Sequence, residues 1–215
     1  MPAVRVAPER LTGWVERFGT SHGEVGRSVD RQTSPSSYLL QAADGSWARL
    51  ASWRPAEEGE WAPGEWAAPP ALLVVLVRRG GYAVAVAAPD GRLAAHKVGT
   101  RYVQSRTAAG GWSQQRYARR RSNQADALVE AVAGHAARVL GEGEATTGPV
   151  GGLVLGGDRS LAAAVLEELV TGPLARLHGL PRRELPDLPD PRRAVLDDAV
   201  ARGRAVEVEV VNAGG

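Results

Sequence analysis

The sequence contains no cysteine and no apolar run long enough to cross a bilayer. Without cysteine, the chain can form neither disulfides nor thiolate metal sites. A membrane-spanning helix needs about 20 consecutive apolar residues. A signal peptide needs an apolar stretch near the N-terminus, where Arg5, Glu9 and Arg10 intervene. These absences predict a soluble, cytoplasmic protein without membrane partners.

Positive charge is concentrated in one part of the chain. The net charge is only +2, yet the segment Gly91 to Ala125 has eight basic residues and no acidic one. The rest of the chain has 18 basic and 24 acidic residues. Such a block favours a polyanion as partner, because each phosphate that it neutralises releases counterions. The alternative is a solvated arginine face.

Residues 1–70 predict a small extension composed of a helix, a hairpin and an irregular loop. Apolar residues recur at helical spacing within Pro8–Phe18, and Asp44-Gly45 is a hairpin turn between Tyr38–Ala42 and Trp47–Ser52. The polar stretch Gly19–Ser37 is predicted to be a loop. Arg54–Pro70 is predicted to be an irregular loop or a linker, and Trp61 and Trp66 are expected to anchor it by packing against the rest of the protein.

Residues 71–215 predict a second domain around a mixed sheet. Leu72–Val77 is an uninterrupted apolar run, as expected for a strand buried on both faces. Short turns join it to two further strands, and a long helix follows from about Ser113 to Leu140, where Gly141 and Gly143 should end it. The remaining predicted elements are, in chain order, a strand Val150–Leu155, a helix capped by Asp158 or Ser160 that ends near Val170, a helix from Asp190 to Arg202, and a strand Ala205–Val211.

The resulting order, βββ-α-β-α-α-β, is a mixed α/β arrangement and is the order of the ribonuclease H-like fold. A metal-dependent nuclease of that fold needs a carboxylate on the first strand, and Leu72–Val77 has none. Asp90 and Asp158 are the nearest candidates, but both lie in turns where they have structural roles. The four histidines show no ligand spacing, and no phosphate-binding glycine motif is complete. We therefore predict neither a metal nor a cofactor.

The stretch from Ala108 to Arg121 has the features of a site that acts on RNA. Gly110 and Gly111 allow the backbone to approach a ligand closely, while Gln114 and Gln115 can orient a water molecule through an uncharged amide. The other candidates are cationic or aromatic side chains that can hold phosphates or stack on unpaired bases: Arg106, Arg116, Arg119, Arg120, Arg121, Trp112 and Tyr117. This combination suits hydrolysis of an ester or phosphodiester at the end of an RNA strand. The alternative is a surface loop followed by a polar helix start.

Residues from about 71 to 211 resemble the catalytic domain of archaeal and eukaryotic class I peptide-chain release factors. The similarity lies in Gly110-Gly111, followed by Gln114-Gln115-Arg116-Tyr117-Ala118-Arg119-Arg120-Arg121, and in the strand Gly152–Gly157. Release factors of this class have a Gly-Gly-Gln loop ahead of a long helix. The chain is more similar still to the release-factor-like peptidyl-tRNA hydrolases of ribosome rescue, the VLRF family, in its actinobacterial branch. This resemblance implies a ribonuclease H-like fold and a monomeric, metal-independent enzyme that acts on peptidyl-tRNA at the 50S subunit.

The sequence departs from the release-factor pattern at one position. Without a gap, the family's glutamine falls on Trp112, so the catalytic amide becomes Gln114 or Gln115 in a longer loop. Two chemistries remain open, attack of water on the ester and cleavage of a phosphodiester near the CCA end. A non-enzymatic ribosome- or RNA-binding module is the alternative function. The resemblance therefore implies an N-terminal extension, 1–70, and a release-factor-like catalytic domain, 71–215.

Overall fold

The computed structural model describes residues 4–100 and 113–213, and for residues 113–122 it describes the backbone alone. In chain order the elements are β1 (Val4–Val6), a 3₁₀ helix (Pro8–Arg10), α1 (Leu11–His22), β2 (Val25–Asp30), β3 (Ser37–Ala42), β4 (Trp47–Ala51), α2 (Pro63–Ala67), β5 (Leu72–Arg78), β6 (Gly81–Ala87), β7 (Leu93–Gly99), α3 (Ser113–Thr147), β8 (Gly152–Gly157), α4 (Arg159–Leu169), a 3₁₀ helix (Gly172–Gly179), β9 (Arg182–Leu185), α5 (Arg193–Arg204) and β10 (Val206–Val211). The predicted mixed α/β class is confirmed. No helix in these ranges has the length and apolar character needed to span a bilayer.

The chain divides into two compact units, one made of residues 1–70 with 201–215 and the other of residues 71–200. The first unit contains an antiparallel sheet in the order β1-β10-β4-β3-β2. Its core combines sheet residues such as Leu40, Leu50 and Val208 with Leu11 and Phe18 of α1. One apolar face of this sheet is thus covered by helical residues.

The C-terminal strand β10 differs from the sequence prediction. The element order predicts that Ala205–Val211 belongs to the sheet of the second domain, but β10 pairs with β1 on one side and β4 on the other. Val206 and Val208 are fully buried in the core of the first unit, whereas Glu207 is exposed. Alternation of apolar and polar residues specifies which face of a strand is buried, but it does not specify the neighbouring strands.

The second unit has a mixed sheet in the order β7-β6-β5-β8-β9. β5, β6 and β7 are antiparallel neighbours, while β8 lies parallel to β5 and β9 parallel to β8. The apolar run of β5 is almost completely buried, as its sequence predicts. The strand β9 is not predicted in the proline-rich stretch because it is short and carries mostly exposed or half-buried side chains.

Two helix ends and one strand also differ from the sequence predictions. α1 extends to His22, and β2 occupies part of the predicted loop Gly19–Ser37. α3 continues through Gly141 and Gly143 to Thr147 and ends at Gly148, whose φ of 73° lies in the left-handed region. The Gly148 N–H donates to the Glu144 carbonyl at 2.9 Å, so Gly148 is the glycine that ends this helix.

Candidate nucleic-acid interface

The predicted site residues fall on both sides of the start of α3. Arg106, Gly110, Gly111 and Trp112 lie outside the described residues. The backbone of the others is helical, which places them in the first three turns of α3: Gln114, Gln115, Arg116, Tyr117, Arg119, Arg120 and Arg121. The glutamines therefore belong to a helix rather than to a loop.

Helical geometry separates the two glutamines. Successive residues are rotated by about 100° around a helix axis, so Gln114 and Gln115 lie on different faces of α3. Arg116 and Arg120 are four positions apart and lie about one turn from each other on a common face. The backbone therefore places these two positions one helical turn apart, and it allows the two glutamines to be tested separately.

The core anchors α3 well downstream of its first residue. Among the residues of α3 whose side chains the structure describes, Leu128 is the first that is completely buried, and Val132, Ala136 and Val139 continue the same stripe. The axial distance from Ser113 to Leu128 is about 22 Å at 1.5 Å per residue. The arginine-rich turns thus precede the part of the helix that the core holds in place.

Tyr82 connects the end of β7 to α3. Its ring stacks on His135 of α3 with a centroid distance of 5.1 Å and an interplanar angle of 14°. The same ring covers Gly99, because a Cβ atom built on Gly99 would lie 2.5 Å from the Tyr82 ring. A glycine is required there. The chain therefore leaves β7 from a fixed point close to α3.

Gly143 fixes the other end of the helix against the sheet. A Cβ atom built on Gly143 would lie 2.3 Å from Val86 Cβ, well inside any permitted contact. The absence of a side chain lets α3 lie directly on β6 at this point. Gly134 and Gly141 of the same helix have no such neighbour. Gly143, one of the two glycines that were predicted to stop the helix, is thus a packing residue.

An acidic groove lies on the side of α3 that faces α4. Four carboxylates line it, from Asp126, Glu130, Glu167 and Glu168, and none of them forms an ion pair with a described side chain. Asp126 follows the last arginine of the basic block by five positions. Carboxylates repel phosphates, so this face of the helix disfavours nucleic acid. The sequence feature that marks this acidic face is the return of acidic residues after Ala125.

Asp90 and Asp158, the carboxylates considered above for a metal site, have the structural roles that the sequence predicts. Asp90 accepts a hydrogen bond from the Arg92 backbone N–H at 2.9 Å. Asp158 is the N-cap of α4 and accepts from the Ser160 and Leu161 backbone N–H groups at 3.0 and 3.2 Å. The Ser160 hydroxyl, which donates to the same oxygen, is the main reason that the pKa of Asp158 lies below its usual value.

Within the described ranges, no three His, Asp or Glu side chains come together in a way that could hold a metal ion. Three of the four histidines have separate partners: His22 contacts Asp44, His96 contacts Arg193, and His135 stacks on Tyr82.

Comparison with known protein families identifies the family to which the chain belongs. The model of the Actinobacteria/chloroflexi VLRF1 release factor family matches residues 70–209, about two-thirds of the chain. No curated protein matches the sequence significantly. The matched segment contains the strands and helices of the second unit, the arginine-rich start of α3 and most of β10. The chain belongs to the Actinobacteria/chloroflexi VLRF1 release factor family.

Proposed function

We propose that the protein is a peptidyl-tRNA hydrolase or tRNA-cleaving release factor that frees nascent chains from stalled 50S ribosomal subunits in the cytoplasm. Membership of a release factor family is the observation that carries this proposal. The concentration of basic residues before and within the start of α3 supports RNA as the partner.

We infer a ribonuclease H-like core for residues 71–200. The sheet order supports this inference, since three antiparallel strands are followed by two parallel ones that the chain reaches after α3 and α4. β5 carries no carboxylate that could contribute to a two-metal site. We therefore propose chemistry without a metal, and release activity should persist when EDTA is present.

In the proposed mechanism, Gly110 and Gly111 allow the backbone to reach the reacting bond, and Gln114 or Gln115 positions the attacking group. That group is either a water molecule at the ester or a ribose 2′-hydroxyl at a phosphodiester near the CCA end. A positioned amide donor of this kind contributes about 10²–10³-fold to the rate. The arginines and aromatic residues of the site bind the RNA, namely Arg106, Arg116, Arg119, Arg120, Arg121, Trp112 and Tyr117.

Alanine substitution of the two glutamines tests the catalytic role. Gln114→Ala, Gln115→Ala and the double variant are incubated with stalled 50S–peptidyl-tRNA complexes, and the rate of peptide release is measured. We expect a decrease of about 10²-fold or more in the double variant and in one of the single variants, because the two residues lie on different faces of α3. Asn123→Ala is the matched control, as Asn123 is an exposed amide in the same helix. Unchanged release in the double variant would contradict the assignment.

Sequencing the 3′ end of the released tRNA separates the two chemistries. Ester hydrolysis leaves the CCA end intact, whereas phosphodiester cleavage leaves a shortened tRNA. Either result is compatible with the proposed hydrolase class and selects one mechanism within it.

Charge reversal tests the RNA-binding role of the helix start. Arg120→Glu should weaken 50S binding and lower the slope of log affinity against log salt by about one for each phosphate that is no longer neutralised. Arg138→Glu is the control, because Arg138 is an exposed arginine of the same helix, 18 positions further along. Equal effects of the two substitutions would show that the basic block has no special role.

One observation favours a second function, a ribosome-binding module without catalytic activity. Trp112 occupies the position where the release-factor pattern without a gap has its glutamine. On this alternative, the double glutamine variant would bind the 50S subunit and release no less peptide than the unsubstituted protein. The release assay and a binding assay on the same variants distinguish the two functions.

A further inference from the structure

A single aromatic ring lies where the chain leaves the sheet of the second unit. Tyr82, the second residue of β6, is the one Phe, Trp or Tyr of this unit whose side chain the structure describes. The ring is 6% exposed, and the other buried side chains of the same core are those of leucine, valine and alanine. Tyr82 therefore places one flat, rigid group among side chains that can repack.

The ring contacts the two elements that residues 101–112 connect, β7 and α3. Tyr82 pairs with Gly99 across β6 and β7, and a Cβ atom built on Gly99 would lie 2.5 Å from both Cζ and the hydroxyl oxygen of the ring. The opposite contact is the stack on His135 of α3, with a centroid distance of 5.1 Å. The backbone at Gly99 is also enclosed by Gly81, on which a Cβ atom would lie 2.8 Å from the Gly99 carbonyl oxygen. One ring thus covers the last residue of β7 and supports the helix that follows.

The helix α3 follows β6 between two points of contact. The first is the approach of Gly143 to Val86. The second is the stack of His135 on Tyr82, eight positions away in the helix and four in the strand, or about 12–13 Å along either element. Gln114 precedes Gly143 by 29 positions, about 43 Å along a straight helix. With Gly143 fixed, a displacement of α3 at His135 is therefore magnified about three- to fourfold at Gln114.

Such magnification matters for a reaction that depends on position. Misplacing a reacting group by about 1 Å can lower a rate about 10²-fold. A displacement of about 0.3 Å at His135 is enough to move Gln114 by about 1 Å. Stacked rings favour one separation and one orientation, whereas aliphatic side chains repack in several ways. A ring under His135 is therefore well suited to fix the direction of α3.

We propose that Tyr82 is a positioning residue of the release reaction, an inference that rests on the function proposed above. Its ring holds the end of β7 and the helix α3 in a fixed relation, so that Gln114 or Gln115 reaches the reacting bond. The role belongs to the ring and its stack, so phenylalanine should support it and leucine should not. The rival explanation is that α4, which also packs against α3, sets the direction of the helix alone.

Single-turnover release from stalled 50S–peptidyl-tRNA complexes tests this role. Tyr82→Leu should lower the rate constant at saturating protein concentration by about tenfold or more. The half-saturating concentration should change by less than about twofold, because the arginines that bind RNA are retained. Tyr82→Phe should release peptide at a rate within about twofold of the unsubstituted protein. An unchanged rate constant in Tyr82→Leu would favour α4 as the support and overturn the proposal.

Val74→Ala is the matched control for lost core packing. Val74 is fully buried in β5, but it faces away from α3, because it alternates with Leu73 and Val75 of the core beneath that helix. Tyr82→Leu and Val74→Ala should both lower the melting temperature, and Tyr82→Leu alone should lower the release rate constant. Equal effects on release would reduce the role of Tyr82 to general stability and overturn the proposal.

His135 gives access to the same stack from the helix, and its side chain is half-buried, so its replacement perturbs folding less. His135→Ala removes the stacked ring and should lower the release rate constant as Tyr82→Leu does. His135→Phe keeps a planar ring and should restore release to within about twofold of the unsubstituted protein. Failure of phenylalanine to restore release would overturn the stack as the cause.

A distance measurement separates this inference from the proposed function. The chain has no cysteine, so spin labels can be attached at Lys97→Cys in β7 and Asn123→Cys in α3, two exposed positions. Pulsed electron paramagnetic resonance then measures the distance between the labels. Tyr82→Leu should shift or broaden this distance by about 1–2 Å, whereas Tyr82→Phe should leave it unchanged.

The two measurements together decide the inference. An unchanged label distance in Tyr82→Leu would overturn the positioning role, and so would a changed distance with an unchanged release rate constant. If the unsubstituted protein released no peptide, the proposed function would fail, and the label distances would still decide whether Tyr82 positions α3.

Discussion

The contact between Gly143 and β6 predicts that Gly143→Ala will destabilise the protein, whereas Gly134→Ala and Gly141→Ala in the same helix will stabilise it. In a helix, alanine is favoured over glycine by about 1 kcal/mol, because glycine loses more backbone entropy on folding. Gly134 and Gly141 are exposed and have open space where a Cβ atom would lie. Gly134→Ala and Gly141→Ala should therefore each stabilise the protein by about 0.5–1 kcal/mol.

Gly143→Ala places a methyl group where Val86 already lies. The built Cβ atom is 2.3 Å from Val86 Cβ and 2.6 Å from Val86 Cγ2, so α3 or β6 must move. Overpacking of a closed core costs about 1–3 kcal/mol, and the helix propensity of alanine offsets up to about 1 kcal/mol of this. We expect a net destabilisation of about 1–2 kcal/mol, which corresponds to a melting temperature lower by about 2–8 °C.

Urea and thermal denaturation followed by circular dichroism at 222 nm measure these changes. The three variants differ from each other by position alone, so Gly134→Ala and Gly141→Ala control for propensity and for helix content. If Gly143→Ala stabilised the protein as much as they do, the close approach of α3 to β6 would be refuted. Peptide release should also fall in Gly143→Ala, because a displaced α3 would shift the glutamines at its start.

Two further predictions concern the ends of helices in the second unit. Asp158→Ala removes the N-cap of α4 and should cost about 1 kcal/mol at neutral pH. Because the folded pKa of Asp158 is lowered, the advantage over the alanine variant is present above the unfolded pKa and should be lost as the pH falls through the folded pKa. Urea titrations of both proteins between pH 7 and pH 3 test this, and a gap that stays constant over that range would contradict it. Gly148→Ala forces alanine to a φ of 73° and should destabilise the protein by about 1 kcal/mol in the same assay. The cause is backbone strain and not a clash, because a Cβ atom built on Gly148 has no neighbour within 4 Å. A neutral effect would show that α3 ends in another conformation.

Local sequence signals predicted most elements of the second unit because those elements are strongly patterned. The apolar run at the start of β5 and the three- and four-residue spacing in α3 leave few alternatives to a buried strand and an amphipathic helix. Asp158 could be predicted as a capping residue because a side-chain oxygen two residues before Ser160 can accept helix N–H groups. These features depend on neighbours within a few residues.

The errors came from features that depend on distant parts of the chain. Gly143 lies inside α3 and does not end it. A glycine is needed there because Val86, 57 positions earlier, occupies the space that a Cβ atom would need. β10 joins the sheet of the first unit because β1 and β4 flank it, and no local pattern in Val206–Val211 identifies those partners. β9 has one buried residue, Leu185, and its pairing with β8 defines it as a strand.

The sequence predicted which types of residue make up the candidate site. The structure adds where the residues of its helical part lie around the axis of α3. A sequence cannot tell whether Gln114 and Gln115 act together, whereas a helix starting at Ser113 assigns them to different faces. The acidic groove between α3 and α4 was not predicted, because it needs residues from two helices that are about 40 positions apart.

The position of β10 links the family segment to residues that the family model does not match. The match runs from residue 70 to residue 209, but β10 completes a sheet whose other strands all precede residue 52. Val208 pairs with Val4 and with Leu50, so a chain that lacked residues 1–70 would expose both edges and the apolar face of this strand. An isolated strand with two unpaired edges and an exposed apolar face invites aggregation. The first unit is therefore needed to bury the last strand of the family segment.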